Sequence, residues 1–209
     1  MLAQRTGRRL GFIAAAAVVL LLTGAVGVGA SQMAAGERFI DDDGNLHEAD
    51  IETIAAEGIT RGCNPAGSRY CPTDAVTRGQ MAAFLNRALN PPAGGPIPFV
   101  DVDDSQFAVD IAAMHDAGIT LGCTASGDRF CPEDVVSRGQ MAAFLARALD
   151  LPAGDTTPFT DVADSQFSGD IAAVYAAGIT LGTSSTTFSP GAPITRAQMA
   201  SFLVRALGL

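Results

Sequence analysis

Thr77-Arg78-Gly79-Gln80-Met81-Ala82-Ala83-Phe84-Leu85-Asn86-Arg87-Ala88-Leu89 is the stretch on which the fold turns. Met81, Phe84, Leu85, Ala88 and Leu89 fall at i, i+3, i+4, i+7 and i+8, one apolar stripe at helical spacing, and this predicts an amphipathic helix. Its start is marked by a capping box. The Thr77 hydroxyl is placed to accept the N3 amide, and the Gln80 side chain is placed to return to the Thr77 amide. The same pattern recurs from Ser137-Arg138-Gly139-Gln140 to Leu149 and from Thr195-Arg196-Ala197-Gln198 to Leu207, with Ser137, Gln140, Thr195 and Gln198 as the matching caps. Three such stripes need one another to leave water.

Outward from these helices the chain is one unit written three times. Phe39, Phe99 and Phe159 are sixty residues apart, as are Gly58, Gly118 and Gly178. Each unit opens with Phe-x-Asp and runs through a first helical segment to Gly-Ile-Thr. A turn-rich loop follows, and the capped second helix closes the unit. The units span residues 39–90, 99–150 and 159–209, with a short N-terminal segment at 31–38. The Pro/Gly segments between them are too short for independent domains. In the first helix Phe107, Ile111 and Met114 mark the apolar face, Asp104 or Ser105 is placed to cap the start, and Gly118 to end it in a left-handed turn. His47 stands in the register of Phe107 and Phe167, so the first unit is expected to depart. The fold class is mainly α, built from three helix-loop-helix repeats.

Among the 209 residues there are 13 cations, all arginine, against 22 Asp and Glu, a net charge of −9. An acidic chain with no basic stripe argues against a nucleic-acid partner. The absence of lysine removes Schiff-base chemistry and lysine-dependent phosphate loops. Arg5, Arg8 and Arg9 precede an acid-free apolar stretch and small residues ending at Ala30, the layout of a secretory signal peptide over residues 1–30. The alternative is an uncleaved anchor, and membrane contact is expected only through that segment if it is retained. Removal leaves ten cations and 22 acids, a net charge of −12.

Cys63 and Cys71 bracket the first loop and Cys123 and Cys131 the second; the third has Thr183 and Ser189 instead and is two residues shorter. Joint loss of both cysteines with a shortened loop is what within-loop disulfides predict, so Cys63 is paired with Cys71 and Cys123 with Cys131. A zinc site would need four ligands from two loops with no histidine in register. The run Asp41-Asp42-Asp43-Gly44-Asn45 suits calcium in ligand type, but Leu46 stands where an EF-hand needs glycine, and a solvated acidic turn is the competing reading. His47 and His115 have no triad-like context, no metal or cofactor is implied, and no nucleophile, base and orienter occur together, so no enzyme is expected.

Arg78, Arg138 and Arg196 are the sharper signal. Each holds the first helical position, where a cation opposes the helix dipole. A guanidinium beside exposed helix amides makes a site for a carboxylate or phosphate; the competing reading is an internal ion pair. Arg87, Arg147 and Arg205, near helix C-termini, are favourable there and need no further explanation.

The unit Phe-x-Asp-Val, helix, Gly-Ile-Thr-x-Gly, loop, Phe-x-Pro, Thr-Arg-x-Gln resembles the S-layer homology domain, in three tandem repeats over residues 39–209. The resemblance implies a pseudo-threefold spindle with a central three-helix bundle of second helices. It also implies grooves that hold secondary cell-wall polymer, often with a pyruvylated sugar, and a secreted, cell-wall location. It places Arg78, Arg138 and Arg196 at the arginine of the family's Thr-Arg-Ala-Glu signature, implicated in holding the acidic sugar. The family's Glu is Gln at 80, 140 and 198, and its early tryptophan is absent. The rival implication is a structural or protein-interaction module of the envelope, with an envelope protein as partner and the arginines in internal ion pairs.

Overall fold

The computed structural model describes residues 38–209; the expected signal segment at 1–30 and nearly all of the 31–38 segment lie outside the described residues. Six helices make up the regular structure among the described residues: α1 (Glu48–Ala56), α2 (Arg78–Leu89), α3 (Ala108–Asp116), α4 (Arg138–Ala148), α5 (Ser168–Ala176) and α6 (Arg196–Leu207). The fold is mainly α, with no strand among the described residues beyond three isolated bridges.

The three long helices begin at capping boxes. Thr77, Ser137 and Thr195 accept the amides of Gln80, Gln140 and Gln198, whose side chains return to the cap amides. The short helices begin differently. No side chain caps α3, whose N-cap is Phe107, and Asp104 and Ser105 sit in the turn before it. There the Ser105 amide donates to the Val102 carbonyl and the Ser105 hydroxyl accepts the Phe107 amide at 3.2 Å, so the expected cap residues shape the turn instead. The first unit keeps this register despite its divergent sequence: α1 has His47 as N-cap, and Asn45 Oδ1 accepts the His47 amide at 2.9 Å.

Each short helix packs on the long helix of the preceding unit: α3 on α2, α5 on α4, and α1 on α6. The last pairing joins the two ends of the described chain. Backbone hydrogen bonds close the same circuit. The Val76 amide donates to the Ile194 carbonyl at 3.0 Å, Ile194 to Val136 at 3.0 Å, and Val136 to Val76 at 2.9 Å. These three residues are fully buried, and with Met81, Met141 and Met199 they sit in one hydrophobic core. Burying side chains of this size contributes about 1.5–3 kcal/mol each.

One packing detail explains a glycine. A Cβ at Gly79 would lie 2.3 Å from the Phe107 ring and one at Gly139 2.6 Å from the Phe167 ring. The third long helix has Ala197 at that position, and the residue in the phenylalanine register is His47, a smaller ring.

Candidate functional site

The second-helix arginines are built into the junctions between units. Arg78, Arg138 and Arg196 are each only 4% exposed. Nε of Arg78 donates to the Phe130 carbonyl at 2.6 Å, Nε of Arg138 to Phe188 at 2.7 Å, and Nε of Arg196 to Tyr70 at 2.6 Å. Each guanidinium also lies between two rings. Cζ of Arg78 is 4.6 Å from the Phe130 centroid and 5.5 Å from Phe144; Arg138 stands likewise between Phe188 and Phe202, and Arg196 between Tyr70 and Phe84. Desolvated cation–π contacts are worth about 2 kcal/mol. Burial lowers the pKa of all three guanidinium groups, with nearby acids opposing it.

Two sequence expectations are corrected here. The ion pairs among the described residues involve Arg69, Arg129 and His115, so the three buried arginines are held by carbonyls and rings and not by carboxylates. A planar cation can satisfy its donors on backbone carbonyls and its faces on aromatic rings at once, which a carboxylate partner would not do. Nor are the helix-start amides exposed. Those of Arg78 and Gly79 donate to the carbonyls of Asp134 and Pro132, those of Arg138 and Gly139 to Ala192 and Pro190, and those of Arg196 and Ala197 to Asp74 and Pro72. The loop of the adjoining unit thus meets the unpaired amides that any helix start presents.

The Phe-x-Asp signature supplies the loop's other anchor. Asp41 accepts the amides of Tyr70 and Cys71, Asp101 those of Phe130 and Cys131, and Asp161 those of Phe188 and Ser189, at 2.7–3.0 Å. Cys71, Cys131 and Ser189 carry φ near +60°, a left-handed conformation that costs energy outside glycine, and the clamp holds it. Burial raises these carboxyl pKa values, but the two amide bonds in each, with Arg69 beside Asp41, Arg129 beside Asp101 and Arg138 near Asp161, carry them below the usual range. Sequence reading passed over these aspartates and their aromatic neighbours as site builders, although a threefold Phe-x-Asp was the available signal.

Disulfides join Cys63 to Cys71 and Cys123 to Cys131. In the third loop Thr183 Oγ1 lies 3.0 Å from Ser189 Oγ, a hydrogen bond between the residues that replace a cysteine pair. The acidic run of the first unit is divided among different roles: Asp41 clamps amides, Asp42 is buried and Asp43 is exposed.

Three corresponding cavities open beside the arginines, with volumes of about 360, 340 and 330 Å³. The first lies between the Thr60–Pro65 loop, α2 and Gln106-Phe107, with Arg196 in its wall. The second lies between Thr120–Thr124, α4 and Gln166-Phe167, with Arg78. The third lies between Thr180–Thr183, α6 and Leu46-His47, with Arg138. Every groove therefore draws its loop and long helix from one unit, its helix start from the next, and its buried arginine from the remaining one. Arg87, Arg147 and Arg205, one per groove, stand exposed at the rims.

The third groove differs in chemistry. The Ser201 hydroxyl donates to Asp50 Oδ2, and His47 Nδ1 lies 2.7 Å from Ser201 Oγ. Since a carboxylate only accepts, the hydroxyl proton is committed to Asp50, so Nδ1 carries a proton and Nε2 is the acceptor when His47 is neutral. Burial lowers the His47 pKa, with Arg205 acting in the same direction and Asp50 against. Ala83 and Ala143 occupy the Ser201 position in the other grooves, and this network has no counterpart there. His115 instead packs its ring edge-on against Phe99, as Tyr175 does against Phe159.

Residues 158–200 match the S-layer homology domain. The chain is 28% identical over 214 residues to the surface-layer 125 kDa protein of Lysinibacillus sphaericus, covering 99% of this chain and 18% of that protein. It is 34% identical over 131 residues to an endoglucanase of Bacillus sp. (strain KSM-635), covering 60% of this chain and 14% of the enzyme. The S-layer protein EA1 of Bacillus anthracis is 28% identical over 177 residues, covering 81% of this chain and 20% of that protein. The chain thus spans less than a fifth of the length of the first two relatives and a fifth of the third. No helix among the described residues is long and apolar enough to cross a membrane. The residues matched, Pro158 to Ala200, include the Phe-x-Asp clamp at Asp161, the loop it anchors and the capping box at Thr195, and the chain therefore carries an S-layer homology domain at residues 158–200.

Proposed function

We propose that this protein is a non-enzymatic binding module of the cell envelope, exported to the cell wall or surface, which holds acidic cell-wall polymer, pyruvylated glycan included, in the grooves between three S-layer homology repeats at 39–90, 99–150 and 159–209. The repeats would stand as a pseudo-threefold spindle around the second helices. The observation that carries this reading is the recurrence of one groove design three times, each with a buried arginine in its wall and an exposed arginine at its rim, in a chain of net charge −9. Cations concentrated in concave sites of an acidic protein suit a ligand that carries carboxylate or phosphate. Arg78, Arg138 and Arg196 serve this role twice over, fixing the groove walls through their carbonyl and ring contacts and presenting what remains of each guanidinium to the ligand. Weak single grooves would gain from acting together on one polymer. The names of the surface-layer relatives agree with an envelope location.

The test is sedimentation of the oxidised protein with purified sacculi, intact and after chemical removal of the acidic secondary polymer. The expected result is co-sedimentation with intact walls and its loss with stripped walls. Failure to bind intact walls, or equal binding to both, would reject the reading. It would favour a structural or protein-interaction module, for which the fully engaged Nε of each buried arginine is the supporting observation.

A further inference from the structure

We infer that the joint between α1 and α6 is keyed by a matched set of residues, His47 and Asp50 on the first unit with Ala197 and Ser201 on the third, so that α6 takes the short helix of the first unit and refuses α3 and α5. The pairing stands whatever the grooves hold. Ala197 and Ser201 are thereby positioning residues for the groove that Leu46-His47 completes.

The need for a key comes from the repeat. Three short helices of similar sequence face three long helices of similar sequence, so each correct pairing has wrong alternatives, in the same chain or in a second copy. The linkers that follow α2 and α4 deliver α3 and α5 to their seats. No linker delivers α1 to α6, since the two come from opposite ends of the described chain. Closing that longer loop costs more entropy than closing the other two, and this joint depends the most on its side chains.

Two contacts discriminate, and the first is steric. Phe107, at the start of α3, and Phe167, at the start of α5, each lie against a glycine of the long helix, where an added Cβ would overlap the ring. Ala197 puts that Cβ in place on α6. A phenylalanine seated there in the same way would collide with it, whereas His47 brings a smaller ring.

The second contact is polar. Ser201 is 2% exposed; its hydroxyl donates to Asp50 and accepts from His47 Nδ1 at 2.7 Å. On α6, either α3 or α5 would bring an aspartate in the register of Asp50 but a phenylalanine where the N–H donor stands. On α2 or α4, the first helix would find Ala83 or Ala143 in place of Ser201. The imidazole N–H would then lose its acceptor, and a void would open beside the glycine where a phenyl ring belongs. The α2–α3 joint has its own polar lock, for Asn86 donates to Asp110 at 2.7 Å, while the register of Asn86 holds Ala146 on α4 and Val204 on α6. One aspartate position therefore meets a different neighbour in each joint, as a set of separate keys requires.

The experiment uses the whole oxidised protein and reads Tm by circular dichroism and mass by sedimentation equilibrium. By itself Ala197→Gly should lower Tm by about 2–4 °C, the helix-propensity cost of glycine. His47→Phe should lower it by about 4 °C or more through the overlap, and its average mass should climb above wild type with concentration as unmatched ends meet a second copy. Added to His47→Phe, Ala197→Gly should raise Tm and restore the wild-type mass. That reversal of sign is the signature of the key, because helix propensity acts in the same direction in both backgrounds. Ser201→Ala should lower the wild-type Tm at least twice as much as that of the His47→Phe/Ala197→Gly variant, and equal losses would overturn the polar half of the key. The inference as a whole fails if Ala197→Gly lowers Tm in both backgrounds, or if His47→Phe keeps the mass and Tm of wild type. Should His47→Phe not fold, the reciprocal pair decides. Gly79→Ala should lower Tm alone and raise it beside Phe107→His, and a loss of Tm in both backgrounds rejects the key.

Discussion

Asp42→Val should make the protein more stable, and by an amount that depends on pH. Asp42 stands where the other units have Val102 and Val162, residues 1% and 6% exposed, and is itself 1% exposed with Oδ2 lacking any partner among the described residues. Burial, reinforced by Glu52, Glu48 and Asp41, raises its pKa from 3.8 to about 6. Holding the carboxyl in that environment costs the fold about 3 kcal/mol at pH 7, from 1.36 kcal/mol per pH unit. The sign follows from proton binding. Between about pH 4 and pH 6 the folded chain holds the proton more tightly than the unfolded chain, so wild-type stability falls as pH rises through that window and levels off above it. The valine variant lacks this loss. Urea unfolding followed by circular dichroism at about pH 4, 5, 6 and 7 should show a gap that opens from near the small apolar gain of valine to about 3 kcal/mol, or a Tm higher by roughly 6–12 °C at neutral pH. The other acids cancel in the difference. A gap that does not change with pH, or a variant less stable than wild type at pH 7, would show that the Asp42 carboxyl carries no such burial cost.

Arg138→Ala should destabilise the fold by about 3 kcal/mol or more in the same urea assay, because it removes two ring contacts and leaves the Phe188 carbonyl without its donor; Arg138→Lys should recover only part, having no planar fork. Reducing the two disulfides, each spanning a sequence separation of 8, should cost about 2.5 kcal/mol apiece by loop-closure entropy while far-ultraviolet circular dichroism remains helical. Asp101→Asn should cost about 1–2 kcal/mol at pH 7 by weakening charge-assisted bonds to the Phe130 and Cys131 amides. Since the Asp101 pKa is depressed on folding, its contribution is present above about pH 4 and is lost as pH falls through the folded value, so the difference between variant and wild type should shrink in acid.

The variant results bear on how binding can be tested at all. A protein without Arg78, Arg138 and Arg196 would lose the staples between its units, so loss of ligand binding would not separate recognition from folding. The arginines at 61, 87, 147 and 205 are exposed, and Arg87 and Arg147 each make one long hydrogen bond, to the Ile59 and Ile119 carbonyls at 3.4 Å, so these positions test binding with less cost to the fold.

The starts of the long helices and the cysteine pairing could be read from the chain because each is a local matter. A capping box lies within four residues, an apolar stripe within thirteen, and the disulfide within a single loop with a cysteine-free copy for comparison. The helix caps of α1, α3 and α5 were less legible, since a serine or asparagine two residues before the first turn suits both a cap and the preceding turn, and only the surrounding packing selects one.

The alphabet of the site is written in the chain: three arginines at helix starts, three aspartates after phenylalanine, and paired cysteines in two loops of three. Which of these residues meet is settled only by the packing of the folded chain. Arg196 reaches Tyr70 across 126 residues, His47 reaches Ser201 across 154, and the hydrogen-bond circuit of Val76, Val136 and Ile194 joins all three units. Such contacts cannot be read from local spacing, because each partner follows its own local pattern and the match is made where α1 packs on α6 and closes the described chain on itself. The same closure gives each groove its arginine from one unit, its helix start from another and its loop from a third. Units that share one pattern but differ in single residues thereby meet as three grooves with different linings.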